Sequence, residues 1–161
     1  MKILFLDIDG VLNCSDTFKD QPRGDAIDDD MVRCINRVID VTGCKIIISS
    51  AWRFCYTLPV LRRKLGEHGL LPNTVIGVTG RGDGRGNEIL AWLALHPEVT
   101  CWAAVDDDSF DMGPVKDRLA HTSFQTGILG KHVDQLILLL GEKESETSSL
   151  TSGNDSGRMT P

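Results

Sequence analysis

The feature that most constrains this chain is its alternation. Short, wholly apolar runs take turns with segments of helical period. Lys2–Leu6, Cys44–Ile48, Thr74–Val78 and Cys101–Val105 read as strands, and Leu119–Ser123 as a weaker fifth. Between them, Met31, Ile35, Val38 and Ile39 share one helical face. Asp28–Asp30 stand at the start of that helix and Gly43 just past its end. Leu58, Leu61 and Leu65 mark a second helix with Pro59 in its first turn, Ile89, Trp92 and Leu93 a third, and Val133, Leu136, Ile137 and Leu140 a last one. Strands alternating with helices predict βαβ units and a mainly parallel sheet in a three-layer α/β fold. Parallel strands are covered on both faces, so their runs are uniformly apolar.

Length and composition narrow the class. The 161 residues suit one domain and a tail. Residues 1–141 are expected to form the domain. Residues 142–161, with one Leu, one Met and no aromatic, are expected to be a disordered polar tail. That tail holds four acids and two bases, so −4 of the net −6 falls on residues 1–141. An acidic domain argues against broad, non-specific nucleic-acid binding, but leaves a nucleotide or a strand end open as substrate. No apolar run approaches a membrane span. Asp7 and Asp9 interrupt the apolar N-terminus before a signal-peptide core can form, and a cytoplasmic protein is expected. The five Cys are irregularly spaced, with no Cys-x-x-Cys, and read as free thiols.

In an open α/β sheet, ligands bind beyond the carboxyl ends of the strands. Asp7-Ile8-Asp9-Gly10 follows the first strand, Ser49-Ser50-Ala51-Trp52-Arg53 the second, and Asp106-Asp107-Asp108 the fourth. Carboxylates crowded together repel, and a hard divalent cation with oxygen ligands relieves them. In an extended segment, Asp7 and Asp9 point to one side.

On those residues the chain resembles the haloacid dehalogenase-like (HAD) superfamily. Asp7-Ile8-Asp9-Gly10-Val11-Leu12 is similar to its first motif, Ser49 to its second, and Asp106-Asp107 to its fourth. Asn13, Ser-Ser-Ala-Trp-Arg53 and Arg85-Gly-Asn-Glu88-Ile89-x-x-Trp92-Leu93 complete a finer pattern. It resembles the HAD domain of the Swiss Army knife RNA-repair proteins, akin to the phosphatase half of polynucleotide kinase-phosphatases. The resemblance covers roughly residues 1–141. It implies that Asp7 attacks phosphorus and that Asp9 acts as acid, then base. Mg²⁺ would be held by Asp7, the Asp9 backbone carbonyl, Asp106 and Asp107. Ser49 would bond a phosphoryl oxygen. Arg85 fits the balancing cation best, with Arg81 as a substitute. Ser50 and Arg53 are further phosphate-binding candidates. Asn13 either contacts substrate or shapes the turn.

Blander readings hold elsewhere. Asp108 and Asp111 read as supporting or helix-capping groups, and Arg62-Arg63-Lys64 as a solvated face. Trp52, Trp92 and Trp102 read as core or lip residues, and the four His as surface or structural. The glycine-rich stretch around Arg81 and Arg85 lacks a Gly-Lys-Ser/Thr and is no P-loop. A receiver domain leaves Asp7 and Asp9 unexplained. Only 39 residues separate Asp9 from Ser49, too few for an inserted cap, so an open site is expected, with residues 13–29 as a small mobile flap. The expected function is a Mg²⁺-dependent phosphomonoesterase acting on nucleotides or terminal phosphates of nucleic acid. The alternatives are a phosphotransferase, a small-metabolite phosphatase, or a non-catalytic module that binds Mg²⁺ and phosphate.

Overall fold

The computed structural model describes residues 1–141. The expected tail lies outside the described residues. Five parallel strands, β1 (Lys2–Leu6), β2 (Lys45–Ile48), β3 (Val75–Val78), β4 (Cys101–Asp106) and β5 (Leu119–His121), form one sheet in the order β3-β2-β1-β4-β5. Side chains alternate across β1 and bury on both sides. Leu4 and Leu6 face one core with Ile46 and Ile48, whereas Ile3 and Phe5 face a second with Ile47 and Ala104.

The first core is closed by α2 (Asp29–Thr42), α3 (Leu58–Glu67) and α5 (Gly130–Gly141), through Val32, Ile35, Val38, Leu61, Leu65, Val133, Leu136 and Leu140. The second is closed by α4 (Arg85–Ala94) and the 3₁₀ turn Gly113–Arg118, through Ile89, Met112 and Val115, with Trp92 and Trp102 set edge-on to Phe5. Helices on both faces of a parallel sheet make the expected three-layer α/β fold. The local signals act as read. The Asp28 carboxylate caps α2 by accepting from the Asp30 and Met31 amides, and Gly43 ends the helix in the left-handed conformation.

Two readings change. β5 ends at His121: Thr122 still donates its amide to Asp106, and Ser123 pairs antiparallel with Gly127. The segment 13–29, expected as a small mobile flap, contains a helix that the periodicity did not show. Ser15–Asp20 form α1, whose Phe18 ring stacks on Phe124 at 5.8 Å. α1 buries only Thr17, so no apolar period announced it. Among the described residues no cap domain interrupts the sheet, and no helix is long and apolar enough to cross a membrane.

Candidate active site

The strand order decides what meets. β2, β1 and β4 lie side by side, so the residues leaving their carboxyl ends emerge together. The ladder also runs on past the strands. Asp7 donates its amide to the Val105 carbonyl (3.1 Å), Ser49 to Leu6 (3.0 Å), Thr79 to Ile48 (3.0 Å) and Thr122 to Asp106 (2.9 Å). The loops therefore start from fixed positions.

Asp7 and Asp106 are buried there, and Asp107 is half-buried. One carboxylate oxygen of each lies within 4.8 Å of the others. The single cation among them is Arg85, the first residue of α4. Its Nη1 donates to Asp106 Oδ2 at 2.6 Å and lies 3.4 Å from Asp7 Oδ2. Three carboxylates against one guanidinium leave an excess of two negative charges. Burial pushes the Asp7 carboxyl well above the ordinary carboxylate range, and Asp106 pushes it further, with Arg85 pulling the other way. Asp106 is raised by burial against the same arginine. Asp107 is raised by burial and by Asp106. Burial opposes the Arg85 charge, but Asp7 and Asp106 outweigh it and hold that guanidinium firmly protonated. The donor set fits Mg²⁺. It is all carboxylate oxygen, and octahedral ligands at about 2.1 Å stand roughly 3 to 4 Å apart.

Gly10 makes room for this cluster. Its φ is +76°, and a Cβ there would collide with the Asp107 carboxylate. Thr122 Oγ1 donates to the Gly10 carbonyl at 2.7 Å, and His121 Nε2 lies 2.9 Å from the Asp107 carbonyl. Asp111 caps α4 by accepting the Arg85 amide at 3.0 Å, which sets the helix end that carries Arg85. Asp108 accepts from the Phe110 and Asp111 amides and so supports the turn, as read.

Asp9 stands beside the cluster with both oxygens engaged. Oδ1 accepts from Asn13 Nδ2 at 2.9 Å, and Oδ2 from Trp52 Nε1 at 3.0 Å. Ser49 Oγ is buried and has no hydrogen-bond partner. Among the candidate ligands it is the hydroxyl left unspent.

Three phosphate-binding candidates sit differently from the expectation. Asn13 is wholly buried. Its Oδ1 accepts the Gly10 amide (2.9 Å) and its Nδ2 also donates to the Ala26 carbonyl (3.0 Å), so it shapes the turn and has no face for substrate. Ser50 Oγ accepts the Trp52 amide as the cap of the 3₁₀ turn Ala51–Phe54. The Arg53 side chain is only 3% exposed. It pairs with Glu88 at 2.5 Å and donates to the Ser49, Ser50 and Gly80 carbonyls. Its two terminal nitrogens join the β2 exit to the loop before α4, while its Nε is buried without a hydrogen-bond partner. Arg81 lies outside the carboxylate cluster, its guanidinium 4.1 Å from the centre of the exposed Phe54 ring. Of the two candidates for the balancing cation, Arg85 is the one beside Asp7.

Sequence reasoning passed over Thr122, quoted Glu88 only as part of the finer pattern, and read Trp52 as a core or lip residue without a role for its indole N–H. Glu88 sits one helical turn after Arg85, where an acid facing Arg53 is legible only once the β2 exit and α4 are known to touch.

No curated protein and no solved structure matches the chain. The sequence profile of one family does, over residues 3–133, and its description is "HAD domain in Swiss Army Knife RNA repair proteins". Its span runs from the first residues of β1 into α5 and takes in every residue of the site described above. The chain belongs to the HAD domain family of Swiss Army Knife RNA repair proteins.

Proposed function

We propose that this chain hydrolyses phosphomonoesters through an aspartyl-phosphate on Asp7, with nucleotides or terminal phosphates of nucleic acid as substrates. Family membership implies phosphatase-type chemistry and a phosphorylated substrate. The observation that carries the finer reading is the charge imbalance at the strand ends. Crowding three carboxylates, two buried and one half-buried, around one arginine is costly unless a cation and a ligand complete the site.

Asp7 attacks phosphorus, and the bond from phosphorus to the ester oxygen breaks. The departing oxygen takes the proton of Asp9. Asp9 then accepts a proton from the water that attacks the aspartyl-phosphate, and Asp7 is released. The Ser49 hydroxyl donates to a phosphoryl oxygen, the partner it otherwise lacks. Arg85 holds Asp7 and Asp106 in place and stays charged throughout. Held by Asp7, Asp106, Asp107 and the Asp9 carbonyl, Mg²⁺ would neutralise phosphate charge so that an anionic nucleophile can approach.

The breadth of the substrate rests on the open edge. With no cap among the described residues, a large phosphorylated end can reach Asp7. Arg81, exposed beside a Phe54 ring that Arg53 also covers, offers a cation for what lies beyond the phosphate. The compartment we propose is the cytoplasm, where irregularly spaced cysteines without a Cys-x-x-Cys would stay reduced.

The test is phosphate release at neutral pH with Mg²⁺, from nucleoside 5′- and 3′-monophosphates and from oligonucleotides phosphorylated at either end. Turnover is expected. Asp7→Asn should reduce it by at least ~10⁴-fold, and EDTA should abolish it. A folded protein that binds Mg²⁺ and turns over none of these would overturn the reading.

A further inference from the structure

We propose that Trp52 is a positioning residue, whose indole N–H holds the Asp9 carboxylate in the orientation from which it serves the phosphoryl group on Asp7. The inference rests on the hydrolase reading above. Its grounds are the two hydrogen bonds that converge on Asp9 from separate segments. Trp52 Nε1 reaches Oδ2 from the exit of β2, and Asn13 Nδ2 reaches Oδ1 from the turn after β1. Either bond alone leaves the carboxylate free to rotate. Together they fix its torsion.

Both donors are themselves immobilised. Trp52 is buried, its amide tied to Ser50 Oγ and its ring packed against Tyr56 at 5.6 Å. Asn13 is tied to Gly10 and Ala26. The Ser50 cap thus reaches the chemistry through Trp52 and Asp9.

The chemistry of the donors matters as much as their place. An indole N–H donates and cannot accept, and the Asn13 carbonyl is occupied by the Gly10 amide. Neither partner can take the Asp9 proton. That proton is exchanged only with the departing ester oxygen and the attacking water, as hydrolysis requires.

The experiment compares leaving groups in single turnovers of Trp52→Phe, which keeps an aromatic ring and loses the N–H. An alkyl phosphate, the best nucleotide substrate of the unsubstituted protein, needs its oxygen protonated as it departs. 4-Nitrophenyl phosphate releases a stable anion and does not. Phosphorylation of Asp7 by the nucleotide should slow by ~10- to 100-fold, and by 4-nitrophenyl phosphate less than about threefold. Equal losses on both substrates would mean a structural role, and no loss on either would mean none. Both outcomes overturn the inference while leaving the hydrolase reading intact. An unsubstituted protein that reacts with neither substrate overturns the hydrolase reading and this inference with it.

A second measurement does not depend on that variant. The Trp52 indole N–H signal is assigned by its proximity to Tyr56, the single tyrosine. Its exchange with solvent should quicken by at least ~10-fold in Asp9→Ala. Unchanged exchange would overturn the inference.

Discussion

Arg53, with a buried side chain, and Arg85, half-buried, are cations at the same edge of the sheet, and they have opposite surroundings. Arg53 meets one carboxylate, Glu88, and three carbonyls. The pair is electrically balanced, and its guanidinium joins the β2 exit to the loop ahead of α4. Arg85 meets the Asp7 and Asp106 carboxylates, with Asp107 beside them. That region is left two negative charges in excess. A balanced buried pair has no electrostatic reason to take a ligand. An unbalanced one is under strain until a cation arrives. The difference sets an arginine matched by one acid apart from an arginine outnumbered by acids, where sequence made the first a phosphate-binding candidate and the second the balancing cation.

The comparison can be broken most sharply by neutralising one acid on each side. Glu88→Gln leaves a buried guanidinium without its counter-charge, and unfolding titrations should show a loss of ~3–5 kcal/mol. Asp107→Asn removes a repelling charge instead. Without metal it should leave stability unchanged or slightly raised, and it should forfeit the gain in melting temperature on adding Mg²⁺. Equal destabilisation by the two substitutions would erase the distinction.

Acidity sharpens it further. Asp7, Asp106 and Asp107 are all raised above the ordinary aspartate value, in each case first by burial. An acid with a raised folded-state pKa binds its proton more tightly when folded. Its contribution to stability is therefore complete below the ordinary aspartate range and is lost as pH rises through the raised values. The metal-free protein should lose stability over that climb. Mg²⁺, which competes with those protons, should restore ~2.7 kcal/mol near neutral pH at a hundredfold excess over its Kd. Melting curves with Mg²⁺ and with EDTA should converge toward acid pH. Curves that stay parallel would mean that the cluster does not hold the ion.

The smallest effect concerns the helix that presents Arg85. Asp111→Ala removes the carboxylate that accepts the Arg85 amide, and chemical denaturation should register about 1 kcal/mol.

Much of this was legible beforehand, for identifiable reasons. β1 reads from Lys2 to Leu6 because burial on both faces demands an unbroken apolar run. α2 reads from its carboxylate cap to its left-handed glycine because both ends carry local chemistry. α1 did not read, since its one stacked aromatic, Phe18, finds its partner more than a hundred residues away in Phe124. Asn13, Ser50 and Arg53 were candidates for substrate because a polar side chain near a strand end has the right type. Type does not say whether its hydrogen bonds are already taken.

The sequence by itself determined the order of the strands and of the helices α2 to α5, the acids that leave β1 and β4, and the short spacing between Asp9 and Ser49. These follow from period, residue type and length, which are local properties. Only the tertiary structure decided that Arg85, not Arg81, stands beside Asp7. It alone showed that Arg53 is paired off by Glu88, that Ser49 keeps an unspent hydroxyl, and that Trp52 reaches Asp9 across 43 positions. Those outcomes depend on which loops the order β3-β2-β1-β4-β5 brings side by side, and on burial, which makes each polar group either find a partner there or wait for a ligand.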